Sequence, residues 1–259
     1  MGTLDNDSIT RPPAIQDVPD APGHPGARLA PGTAGGDPWG MWLQSRRRDV
    51  PVPAEQALPG RPEYDYPLAR VHDVLGTSML GPFPAGVVTL YLGMGCFWGA
   101  EKRLWRLPGV HTTAVGYQGG PTPHPTYQEV CTGMTGHAEM VMVAYDTSVV
   151  STIDVLRVFW ENHDPTQGMR QGNDVGTQYR SAAYWTTHEQ QVLVESSAAA
   201  YDEVLRTEGF DPITTELGPA LQDGEVVLPF YYAEAHHQQY LHKNPFGYFC
   251  RSSTGVLLP

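Results

Sequence analysis

Cysteine is scarce in this chain of 259 residues, which holds only Cys96, Cys131 and Cys250. Three is an odd number, and no CxxC pair occurs, so neither a disulfide scaffold nor a zinc knuckle is indicated. In a reducing compartment, scarce cysteines are either inert core residues or chemically employed. Basic residues are also few, 16 Lys and Arg against 28 Asp and Glu, giving a net charge of −12. That balance argues against nucleic-acid binding, because phosphate contacts need a basic face. No apolar run approaches the roughly 18 residues that a membrane span needs. The start, MGTLDNDSIT, lacks the basic residues and apolar stretch of a secretory signal. Arg46-Arg47-Arg48 is followed by Asp49 and prolines rather than by the apolar segment of a twin-arginine signal. Asn6 stands where N-myristoylation wants Ser or Thr. The expectation is a soluble, cytoplasmic protein without membrane association. With no heptads or long edge strands, it is expected to be a monomer.

What is present is uneven. Residues 1 to 62 hold nearly half of the 24 prolines and show almost no periodic apolar pattern. Such a segment cannot bury enough surface to offset the entropy of ordering, so residues 1–62 are expected to be a disordered extension. Trp39, Met41, Trp42 and Leu43 form a short apolar patch within it. Residues 63–245 read as one folded domain, entered through an irregular arm over 63–86, and residues 246–259 as a flexible tail.

Within the domain, strand and helix signals alternate. Val87 to Leu92 is a β-rich apolar run, and Cys96 to Leu107 a helix stopped by Pro108-Gly109. Val110 to Val115 and the alternating run Ala138 to Tyr145 are further strands. Ser151 opens a helix with Val155, Leu156, Phe159 and Trp160 on its apolar side. A polar loop of unusual length, HDPTQGMRQGNDVGTQYR, follows, and such loops are usually functional. Then come a strand over Ser181–Trp185, a helix over Thr187–Glu208, a strand over Ile213–Leu217 and a helix over Ala233–Lys243. The β-α-β, β-α-β order predicts an α/β (α+β) two-layer sandwich, ferredoxin-like, with a mixed sheet and an irregular C-terminal tail.

Strand, glycine turn, cysteine, helix: this order puts Cys96 at a helix N-terminus, where free N–H groups and the helix dipole favour an anion. A thiol so placed is expected to have a lowered pKa and to be a competent nucleophile. The alternative is a buried structural cysteine. Phe97 and Trp98 point about 100° apart on a helix, so they either wall a pocket beside the thiol or fill space between helix and sheet. Two look-alike motifs fail. Gly93-x-Gly95 suggests a dinucleotide site, but the third glycine, Gly99, falls one place late and Phe97 and Trp98 fill the phosphate cradle. His137-x-Glu139 matches part of a zinc deaminase motif, yet the partner P-C-x-x-C is missing. His236, His237 and His242 lack a matching ligand cluster and fit a hydrated surface, so no metal is expected.

Gly95-Cys96-Phe97-Trp98-Gly99 resembles the signature of the peptide-methionine (S)-S-oxide reductases, enzymes that reduce the S epimer of methionine sulfoxide. The resemblance continues through Pro125-Thr126-Tyr127, Glu129-Val130-Cys131 and Thr135-Gly136-His137-Ala138-Glu139. It runs on through His163 to Gln167, Gln171 to Ser181, Tyr231 to Glu234 and His236 to Leu241, covering the chain from about residue 60 onward.

This resemblance implies that Cys96 attacks the sulfoxide sulfur and that Glu139, protonated, supplies a proton to its oxygen. On its own Glu139 would read as a solvated residue at a strand edge. Tyr127 and Tyr179 are implied to hold the oxygen, Phe97 and Trp98 to wall the methyl group, and Asp174 to shape the site. Asp174 alone would pass as a turn former. The Cys96 sulfenic acid would then be resolved by Cys250 and the thiols regenerated by thioredoxin, with no other cofactor. The implied substrates are oxidised proteins and free methionine sulfoxide. Here Phe249 separates Tyr248 from Cys250, and no cysteine follows it, so the resemblance implies a single Cys96–Cys250 disulfide. Cys131 reads as structural or as a minor back-up thiol. A redox sensor that switches a binding surface is the rival reading.

Overall fold

A computed structural model describes residues 50–259. The patch at Trp39 to Leu43 and most of the extension lie outside the described residues. Each strong periodic run forms the element its pattern demands. In chain order these are β1 (Val87–Met94), α1 (Phe97–Leu104), β2 (Val110–Gln118), α2 (Tyr127–Cys131), β3 (Ala138–Asp146) and α3 (Thr152–Glu161). Then follow the short β4 (Arg170–Gln171) and β5 (Asp174–Val175), β6 (Ser181–Trp185) and α4 (His188–Thr207). Last come β7 (Glu216–Pro219), β8 (Leu221–Gln222), β9 (Glu225–Val226), β10 (Tyr231–Tyr232) and α5 (Tyr240–Lys243).

Six strands share one mixed sheet in the order β10-β2-β3-β1-β6-β7. Only β6 and β7 pair in parallel; the other neighbours are antiparallel. Its centre, β2-β3-β1-β6 with α1 and α3 as crossovers, is the β-α-β-β-α-β frame expected of a ferredoxin-like sandwich. The central strand β3 alternates cleanly in sequence, yet both of its faces are buried. Val141, Val143 and Tyr145 face the core shared with Leu104, Phe159, Trp160 and Tyr201 of α1, α3 and α4. Met140 and Met142 on the opposite face lie beneath Phe230 and the lead-in arm, including Met79 and Phe83. Helix ends are closed by side chains: Ser151 Oγ accepts from Asp154 N at 3.3 Å, and Thr187 with Gln190 forms a capping box on α4.

Several expectations shift. Ordered packing begins before residue 62: Val52 is buried, and Leu58 N donates to Met134 O at 2.9 Å. The helix over Ala233–Lys243 shrinks to the single turn of α5, because Gln238 instead spends its amide bridging Val115 N and O on β2. The tail is tied down rather than loose: Tyr201 Oη bonds to Thr254 and Val256, and Leu258 is buried. Among the described residues no helix is long and apolar enough to cross a membrane.

Candidate active site

Glu139 is the first feature the fold explains. It lies near the start of β3, opposite Tyr117, on the helix-facing side of the sheet. The pairing of β1 with β3 ends at Leu92–Val141, so the chain after Leu92 runs past Glu139 toward α1. Gly95 turns it with φ +83°, and a β-carbon there would come within 2.5 Å of Gln171 Cβ, so glycine is required. Cys96 is then the N-cap of α1, and Phe97 N donates to Glu139 Oε2 at 3.0 Å. Glu139 therefore lies near the end of its strand, but fully buried rather than solvated.

Seven of the eight predicted site residues line one cavity of about 240 Å³: Cys96, Phe97, Trp98, Tyr127, Glu139, Asp174 and Tyr179. Phe97 and Trp98 settle their ambiguity by doing both things. Phe97 is buried with the core and near-parallel to Tyr127 at 6.4 Å between centroids, whereas Trp98 stacks on Tyr240 at 3.9 Å, and both rings still face the cavity. Tyr127 is held by α2, whose first turn is closed by a Thr126–Glu129 capping box. Tyr179 sits on a short 3-10 turn, Thr177–Tyr179. Asp174 opens β5, in a loop whose polar residues bond to one another: Gln171 spans Asp164 N and O, and Gln167 binds Asp164 Oδ2 and Gly172 N.

Electrostatically the cavity is hostile to negative charge. Burial, with a smaller push from Asp174, raises the Glu139 pKa to about 8. Burial also lifts the Tyr127 and Tyr179 hydroxyls above their ordinary range, keeping them as donors. The Cys96 thiol departs from expectation. The Trp98 backbone N–H points at it as a helix start should, but burial and the adjacent Glu139 dominate and push its pKa well up. Both favour the neutral thiol of Cys96 over the thiolate.

Cys250 does not line the cavity. It is half-buried, its thiol contacting Gln171 O at 3.5 Å, and all three cysteines are free. The tail nevertheless reaches the site through Tyr248, whose hydroxyl donates to both oxygens of Asp174 at 3.0 Å. Sequence reasoning gave Tyr248 no part. Two more residues went unassigned although their motifs were noted. Glu234 accepts from Tyr127 N at 2.8 Å and from Tyr117 Oη at 2.9 Å. His237, expected on a hydrated surface, is buried; its Nδ1 accepts from Trp98 Nε1 at 3.2 Å, and burial lowers its pKa to about 3, so it stays a neutral acceptor. Cys131, read as structural, is exposed at the end of α2, and burial of its sulfur with the nearby Glu139 raises the thiol pKa to about 11. Among the described residues, no three His, Cys, Asp or Glu side chains group as a metal site.

The arrangement offers a thiol, a neutral carboxyl and two hydroxyls around a small, aromatic-walled space. That set can receive a polar oxygen and an apolar methyl at once. The family model described as "Peptide methionine sulfoxide reductase" matches residues 88–256. A peptide methionine sulfoxide reductase MsrA of Rhodospirillum centenum is 56% identical over 217 residues, 84% of this chain and 95% of that protein. The enzyme of the same name from Salinispora arenicola is 54% identical over 221 residues, 85% of this chain and 96% of that one. The solved structure of methionine sulfoxide reductase A of Corynebacterium diphtheriae superposes with a TM-score of 0.70 at 46% identity, covering 80% of this chain and 98% of that one. By site, sequence and fold together, the chain belongs to the peptide methionine sulfoxide reductase family.

Proposed function

We propose that this enzyme reduces the S epimer of methionine sulfoxide, in proteins and as the free amino acid, by thiol chemistry at Cys96. The observation that carries this reading is Glu139: a fully buried carboxyl with one N–H donor, beside the only thiol that lines the cavity. Its raised pKa leaves it protonated below about pH 8, able to donate to a sulfoxide oxygen. Tyr127 and Tyr179 would hold the same oxygen, Phe97 and Trp98 the methyl group, and Asp174 a polar group of the substrate backbone.

The protonation states suggest the route of the proton. Cys96 Sγ attacks the sulfoxide sulfur while Glu139 gives its proton to the oxygen, and the proton leaving the Cys96 thiol restores Glu139. Collapse of the adduct transfers the hydroxyl to Cys96, yielding methionine and a sulfenic acid. The Cys250 thiol then condenses with it, forming a Cys96–Cys250 disulfide and releasing water. A dithiol of the thioredoxin class reduces that disulfide, so no other cofactor is consumed. Cys250 is already near: its thiol is hydrogen-bonded to Asp174, which lines the cavity with Cys96.

The test is turnover of separated S and R epimers with thioredoxin as reductant. Activity on S alone is expected, and Cys250→Ser should release about one methionine per enzyme before stalling. Use of R alone, or of both epimers equally, would defeat the reading.

A further inference from the structure

Residues 58–66 precede the region matched by the family model, which begins at residue 88, and the chemistry above makes no use of them. They are nonetheless bonded along their length to the loop that carries Tyr127. Leu58 N donates to Met134 O at 2.9 Å, and Thr122 Oγ1 donates to Leu58 O at 2.7 Å. Arg61 N donates to Pro123 O at 3.1 Å, and Gly60, at φ +68°, lies so close to Pro123 that a β-carbon would not fit.

The Arg61 side chain is the centre of this contact. Its Nη1 donates to His124 O at 2.7 Å and to Glu129 Oε2 at 3.0 Å, and Nη2 donates to Glu129 Oε1 at 2.8 Å. Glu129 is the third residue of α2, and the same Oε2 accepts from Thr126 N at 2.9 Å to complete the capping box. One carboxylate thus closes the helix start and receives the guanidinium fork. Helix α2 has five residues, far too few to hold itself in water. Its placement must come from outside, and a planar bidentate pair fixes direction as well as distance. The residue placed by that start is Tyr127.

We infer that Arg61 is a positioning residue for Tyr127, acting through Glu129 and His124 to set where the hydroxyl stands in the cavity. The inference rests on the reading of Tyr127 as a ligand of the sulfoxide oxygen. Two measurements separate them. Amide hydrogen exchange reads the clamp itself: in Arg61→Ala the amides of Val130 and Gly133, which close the turns of α2, should exchange at least about tenfold faster, with those of Val141 and Val143 in β3 unchanged. Single-turnover kinetics reads the consequence. Arg61→Ala should lower kcat/KM about tenfold in the native background but less than about twofold in a Tyr127→Phe background.

Unchanged exchange in α2 would overturn the clamp whatever the activity. Faster exchange with an equal loss in both backgrounds would overturn the positioning role. Full activity of Tyr127→Phe would defeat the Tyr127 reading and the kinetic half of the inference, while exchange still decides whether the clamp exists. If Arg61→Ala does not fold, Arg61→Lys, which keeps the charge but loses the fork, makes the same comparison with an expected loss of about threefold.

Discussion

Two carboxylates are buried beside helix α1, and they lead different lives. Glu101, within the helix, receives Gln239 N at 2.8 Å, Gln239 Nε2 at 2.7 Å and Thr113 Oγ1 at 3.1 Å. The chain continues outward. His72 Nδ1 accepts from Val74 N and Leu75 N, so its Nε2 carries the proton facing Thr113 Oγ1 at 2.9 Å. Glu139, on the strand beneath the helix start, receives only the Phe97 N–H and otherwise faces the cavity. Burial raises both pKa values, to about 7 at Glu101, where three donors and Lys243 offset it, and to about 8 at Glu139, where Asp174 adds to it. A buried acid saturated with donors holds structure together. On the proposed reading, a buried acid left with free lone pairs at a cavity wall holds a proton for use.

The largest expected effect tests that division directly. Glu139→Gln keeps the acceptor for Phe97 N–H but removes the acid, so the single-turnover rate should fall by about 10² to 10⁴ without a lower thermal midpoint. The native rate should decline as pH rises through about 8, where Glu139 loses its proton, and the variant should lack that limb. Glu101→Gln, by contrast, places an amide N–H₂ among donors. One of them loses its acceptor, at a cost of about 1–3 kcal/mol in denaturant unfolding at pH 8, while single turnover stays within about threefold. If Glu101→Gln slowed turnover as much as Glu139→Gln, donor count would not separate the two roles.

How much of this was legible in the sequence follows the same line between local and distant causes. Strands β1, β3 and β6 and helix α4 declare themselves by local periodicity, and the residues lining the cavity came from the family motifs. Glu101 drew no notice, because its three donors come from Thr113 and from Gln239, far along the chain. The thiol of Cys96 was misjudged for a related reason: its helix start is local and visible, whereas the burial and the carboxyl that outweigh it are brought by β3. His237 seemed superficial since adjacent histidines and lysine are polar; only the fold turns it inward, onto Trp98. Helix α5 was overextended because Gln238 and Gln239 suit a helix by propensity, yet here they serve β2 and Glu101.

The smallest effect is a slope in stability with pH, and its sign can be worked out. A carboxyl whose folded pKa lies above its unfolded value favours folding most when both states are protonated. As pH rises past about 4.5 the unfolded chain ionises first, and stability falls until the folded group ionises too, near 7 for Glu101 and near 8 for Glu139. The buried His72, His137 and His163, with pKa values lowered to about 4, work the other way between about 4 and 6.5, since there only the unfolded state binds their protons. Opposing slopes obscure the acid range, but between pH 7 and 8 the histidines have largely finished, while Glu101 goes from half to nearly fully ionised. In that window Glu139 should supply the larger part of the fall in stability, up to about 1.4 kcal/mol over the unit, and Glu101 the smaller part. Urea unfolding at the two pH values should show the full drop in the native enzyme, most of it in Glu101→Gln, and only the smaller Glu101 part in Glu139→Gln. A drop of undiminished size in Glu139→Gln would mean that Glu139 gives up no proton between pH 7 and 8, and that the decline in rate through about 8 must come from another group.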